Sequence, residues 1–172
     1  MAKIEKAISD SGPLIHLAQI GSLKALRIIK KIYIPEEVYN ETCSSNFLGS
    51  KEIKSLGLIL VKNLDNASKD MAKIIAEEYS LDIGESQCIA LASQDNIKLL
   101  FTDDLSARVI AENSGLEVHG TVGIILRAYK KGIMSKKAAI QSIRYLKEKS
   151  SLFITSDLIE YILKEIEKYD KK

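Results

Sequence analysis

The chain has no tryptophan, two prolines and two cysteines, and its aromatic residues amount to only 6%. So few rings give no evident platform for stacking nucleic-acid bases. Cys43 and Cys88 have neither CxxC spacing nor a histidine beside them, which argues against a zinc site. Buried, reduced thiols are the expected state. Long apolar runs are missing as well. None approaches membrane-spanning length, and the opening MAKIEKAISD lacks the apolar stretch of a signal peptide, so a cytoplasmic protein without a membrane partner is expected. An excess of one charge is also absent: 25 basic against 23 acidic residues leave +2. Only four of the basic residues are arginine (Arg27, Arg108, Arg127, Arg144). Lysine lacks the planar fork of arginine, so base-specific reading is poorly provided for. No GxxxxGK[ST] occurs and no GxGxxG follows the first strand, which removes the common nucleotide-binding loops.

What remains is ordinary globular composition, 46% hydrophobic and 28% charged, in 172 residues, enough for one domain to bury a core without disulfides. Short apolar runs alternate with helical patterns. Strands are expected at Lys6–Ser9, Ile32–Ile34, Leu58–Lys62, Lys98–Thr102 and Leu116–His119. Helices are expected at Leu14–Ala18, Leu23–Lys30, Glu36–Cys43, Ala67–Tyr79, Glu85–Gln94 and Leu105–Ser114. Thr121–Lys131, Ser135–Lys147 and Ser156–Lys168 follow as closing helices, with a frayed end over 168–172. The last helix carries Leu158, Ile162 and Ile166 at four-residue spacing, a face for packing on the core. This order predicts an α/β fold in three layers, α/β/α, around a mostly parallel sheet of four or five strands.

In such a fold, ligands lie beyond the carboxyl ends of the strands. Asp10 directly follows the first strand, and Asp103 and Asp104 directly follow the fourth. If those strands are neighbours, their carboxylates converge, as a hard divalent cation with oxygen ligands requires. Each acid also has a structural reading. Asp10 would equally serve as a helix N-cap, and one of Asp103 and Asp104 is expected to cap the helix from Leu105. Glu85, in a helical first turn, is favoured there by the helix dipole at roughly 0.3–1 kcal/mol. Glu41 sits near a helix end, where that dipole mildly disfavours an acid.

The segments ISDSGPLIHLAQI, IYIPEEVYNETC, LDIGESQCIALASQ and LLFTDDLSARVIAENSGLEVHGTVGIIL together resemble the PIN-domain family, in family order across most of residues 7–131. The resemblance implies a Mg²⁺- or Mn²⁺-dependent endoribonuclease. Its catalytic, metal-holding acids would be Asp10, Glu41, Glu85 and Asp104, with Asp103 as a less firmly matched ligand and Ser11 at the usual hydroxyl position. It further implies RNA as substrate, a toxin role with an antitoxin partner, and a homodimer. A core over 1–131 would carry a C-terminal helical extension, 132–172, packed on the same domain. Gly84-Glu85, the doubled Asp and Gly120-Thr121-Val122-Gly123 resemble a lesser-known prokaryotic branch of the family rather than the standard toxins.

Ser11, Thr102 and Arg108 are the candidate substrate contacts. For Arg108, four residues after Asp104, a local ion pair is the simpler reading; His16 and His119 are read as structural or surface residues. Two other functions compete. A PIN-like module that binds RNA or protein without cutting has no need of a repulsive acid cluster. A phospho-acceptor receiver needs an Asp after the third strand, where Leu58-Ile59-Leu60-Val61-Lys62 offers none.

Overall fold

The computed structural model describes residues 5–44 and 46–169. Five strands form one sheet: β1 (Lys6–Ser9), β2 (Lys31–Ile34), β3 (Ile59–Val61), β4 (Leu99–Phe101) and β5 (Glu117–His119). Their spatial order is β3-β2-β1-β4-β5, and all four pairings are parallel. The central strands are apolar because helices cover both their faces: Ala7, Ile8, Leu99, Leu100 and Phe101 are buried. At the β3 edge the burden is lighter, and Leu60 and Val61 face solvent.

Helix α1 (Ser11–Gln19) buries Pro13, Leu14 and Leu17. The stretch expected as a helix at Leu23–Lys30 is a 3₁₀ segment, Leu23–Ile28, whose buried Leu23, Ala25, Leu26 and Ile28 crowd closer than one α-helical face allows. The helix expected over Glu36–Cys43 is divided. Its first part, α2 (Glu36–Tyr39), is α-helical, and Asn40–Ser44 is a π-turn. Hydroxyls accompany that widening: Thr42 Oγ1 donates to the Val38 carbonyl (2.6 Å) and Ser44 Oγ to that of Asn40 (2.8 Å). A short helix the periodicity did not reveal, α3 (Ser50–Ser55), follows Gly49, whose φ of 115° suits only glycine. Of its residues only Ile53 is buried, too little for a sequence signal.

The remaining helices are α4 (Asn66–Tyr79), α5 (Ile83–Gln94), α6 (Leu105–Asn113), α7 (Thr121–Lys130), α8 (Lys136–Lys149) and α9 (Ser156–Tyr169). Helix α7 buries Thr121, Ile124, Ile125, Ala128 and Tyr129, a complete helical stripe. Helix α9 buries Ile159, Ile162 and Ile166, whereas Leu158 faces outward, so the core-facing stripe starts one residue later than expected. It packs on α8, and Tyr169 meets Tyr129 edge-to-face at 5.5 Å. Of the frayed end expected at 168–172, Lys168 and Tyr169 still belong to α9, and 170–172 lie outside the described residues. Cys43 and Cys88 are free, buried thiols. Among the described residues no helix is long and apolar enough to cross a membrane.

Candidate functional site

The chain leaves β1 toward β2 and β3 on one side and returns to β4 and β5 on the other. The order reverses between β1 and β4, and the crevice beyond their carboxyl ends is where open α/β sheets bind ligands. The two strands pair as Ile8↔Leu100 and Ser9↔Phe101. One residue further on, the Asp10 amide donates to the Phe101 carbonyl (2.9 Å), so Asp10 begins at the crevice floor.

Asp10 both caps a helix and faces this crevice. Its Oδ1 accepts from the Ser11 amide (2.7 Å), and Oδ2 accepts a long bond from Thr102 Oγ1 (3.4 Å). Thr102, buried at the end of β4, also accepts from the Asp104 amide at 3.2 Å. Its hydroxyl therefore links the two acids. Asp104 is the N-cap of α6, with Oδ1 accepting from the Ala107 amide (2.7 Å). Glu85, in the first turn of α5, accepts from the Asp82 amide through Oε2 (3.2 Å). The structural role foreseen for Glu85 is real. Glu41 comes from the π-turn, and its Oε1 lies so close to Gly84 that a Cβ there would approach it to 3.2 Å.

Electrostatics tie these acids together. Burial lifts the Asp10 carboxyl to about 6; the Ser11 and Thr102 hydrogen bonds pull against this, and the charges of Glu41 and Asp103 add to it. Burial likewise lifts Glu85 to about 7, helped by the charges of Asp10 and Asp104. The Cys88 thiol, which donates to the Ser9 carbonyl at 3.4 Å, is pushed well above its usual range by burial and then by Asp10, Glu41 and Glu85. Each of these groups feels several of the others, so the crevice concentrates negative charge.

Asp103 is differently engaged. Its Oδ1 accepts from the Thr121 amide (2.7 Å), and its Oδ2 accepts from Thr121 Oγ1 (2.5 Å) and pairs with His16 Nδ1 (2.7 Å). Burial would raise its pKa, but the hydrogen bonds from His16 and Thr121 prevail and hold it below the ordinary value. His16 is thus a neighbour of the site that sequence spacing could not find, because Asp103 lies 87 positions away. His119 belongs to a surface cluster, bonded through Nε2 to Glu117 Oε1, which Arg127 also contacts. The local pair expected between Arg108 and Asp104 does not form among the described residues. The Arg108 Nη2 instead stands beside Gly120, 2.9 Å from where a Cβ would be. Ser11 is half-buried at the start of α1.

An all-oxygen, anionic set is the donor chemistry of a hard divalent cation, and the raised pKa values of Asp10 and Glu85 mark charge that a cation would compensate. By kind and charge the residues fit such an ion. Among the described residues, however, no three His, Cys, Asp or Glu side chains already form a group able to hold one. A family model described as a PIN domain (DUF3368) matches residues 6–168. No curated protein and no solved structure matches the chain.

Proposed function

Because the chain belongs to the PIN-domain family, we propose that it is a metal-dependent endoribonuclease working in the crevice beyond β1 and β4. One observation carries the reading: carboxylates from separate chain segments share that crevice, with Asp10 and Glu85 raised to about 6 and about 7. A structural cap has no use for such repulsion. Asp10, Glu41, Glu85 and Asp104 would hold the ion. Bound there, Mg²⁺ or Mn²⁺ would supply Lewis-acid activation of a phosphodiester and of the attacking water.

The chain's own residues orient the site. The Ser11 amide and the Thr102 hydroxyl fix the two Asp10 oxygens, and Thr102 holds Asp104 in register with Asp10. Buried and doubly engaged, Thr102 is a positioning group in this reading rather than a substrate contact. Arg108 is the better candidate for a phosphate oxygen, since its guanidinium has no carboxylate partner among the described residues. Ser11, next to Asp10 at the start of α1, is a second candidate. RNA affinity would come mainly from phosphate neutralisation and fall steeply with salt. A toxin role, an antitoxin partner and a homodimer extend the proposal from the family resemblance alone.

The alternative, a binding module without cleavage, draws on the open spacing of the acids. Incubating purified protein with single-stranded RNA and Mn²⁺, with and without chelator, separates the two. Cleavage that the chelator stops, and that Asp104→Asn abolishes, supports the nuclease. An inert wild type that still retains RNA supports the module.

A further inference from the structure

The second acid of the Asp103-Asp104 pair is accounted for by the site; the first is not, and neither is the Gly120-Thr121 turn. The two belong together. Three hydrogen bonds of 2.5–2.7 Å converge on one carboxylate from α1 and from the start of α7, while the carboxylate itself sits just past β4. Gly120 permits this approach: a Cβ there would lie 2.7 Å from Asp103 Oδ1 and 2.9 Å from Arg108 Nη2. A carboxylate accepts only, so His16 Nδ1 is the donor in this pair. Asp103 is already satisfied by donors of its own chain, which leaves Asp104 as the pair's ligand.

We infer that Asp103, Thr121 and His16 form a latch that sets Asp104 and Arg108 against Asp10, Asp103 being a positioning residue and not a metal ligand. The latch joins three elements at the crevice: α1, which starts beside Asp10; the end of β4, which continues directly into Asp104; and α7. Releasing either donor frees the β4–α6 turn to shift relative to Asp10. What is being positioned rests on the metal-nuclease reading. The hydrogen-bonded latch itself does not.

The test compares Thr121→Val, which keeps the amide donor and the side-chain shape but loses the hydroxyl, with Thr121→Ser, which restores it. His16→Leu is paired with His16→Asn in the same way, the Asn amide replacing the Nδ1–H donor. Calorimetric titration with Mn²⁺ and steady-state cleavage of single-stranded RNA are the readouts. Thr121→Val and His16→Leu are expected to lose about 10–100-fold in Mn²⁺ affinity and kcat, with KM for RNA unchanged, and the conservative partners to recover most of it. Wild-type Mn²⁺ affinity and kcat in Thr121→Val would overturn the latch, and so would equal losses in Val and Ser, which would signal packing alone. If wild-type protein neither binds Mn²⁺ nor cuts RNA, the nuclease reading fails, and the latch is judged by NMR. Amide signals of Asp104 and Arg108 should then shift in Thr121→Val and return in Thr121→Ser; unmoved signals would sink it.

Discussion

Asp10 caps α1 and shares the crevice with other acids through one carboxylate, and its environment shows which is costly. As a cap it needs only the Ser11 amide. Lying buried beside other acids, it is raised to about 6, which in the proposed metal reading marks charge that a cation would compensate. Replacing it by Asn keeps a capping oxygen and removes the charge. Asp10→Asn is therefore expected to abolish metal-dependent cleavage while raising metal-free stability, on the order of 2 kcal/mol at neutral pH. Chemical denaturation in chelator checks the stability, and an RNA assay the activity. Glu85 teaches the complementary lesson. Its first-turn position was legible in the sequence; the capping bond to Asp82 that accompanies it does not exclude a second role, because the same side chain feels Asp10 and Asp104.

Among the elements, the π-turn and the start of α5 are most consequential. Sequence periodicity sees one helix from Glu36 to Cys43, because apolar spacing cannot report a single widened turn. Yet that turn carries Glu41 to Gly84. Gly84→Ala places a methyl 3.2 Å from Glu41 Oε1 and must displace the carboxylate or itself. Helix propensity favours alanine by roughly 0.5–1 kcal/mol, so stability should hold or rise slightly. Cleavage should fall by about tenfold or more, since small misplacements near reacting groups are expensive. A melting curve beside a rate measurement distinguishes this from simple unfolding. The central strands were readable because burial on both faces leaves nearly uninterrupted apolar runs. The 3₁₀ segment and α3 were not, being short and held by tertiary contacts more than by their own periodicity.

For the molecule as a whole, the acid crevice makes folding pH-dependent in an unusual direction. Asp10 and Glu85 have folded-state pKa values raised from 3.8 and 4.5 to about 6 and about 7. Between those limits the folded state binds more protons than the unfolded, so these two groups make stability decline as pH rises. In chelator, melting temperature should fall across that window; Mn²⁺ should restore it above the window by compensating the ionised acids. Melting temperature that rises with pH there, with no Mn²⁺ effect, would contradict this. Separation along the chain explains why the site was only partly legible. Strand order brings Asp10 and Asp104 together, and their positions after strands announced that much. The link from Asp103 to His16 and Thr121 spans distant segments and carries no local pattern.

Calorimetric titration of the wild-type protein with Mn²⁺ at about pH 6.5, in buffers of different ionisation enthalpy, tests the proposed cation site most directly. Holding a cation there requires Asp10 and Glu85 to give up the protons they share at that pH, so about one proton should be released per ion bound. Asp10→Asn should show greatly weakened binding and less proton release. Absence of Mn²⁺ binding, or binding without proton release that Asp10→Asn leaves intact, would contradict the assignment of these acids as a metal centre.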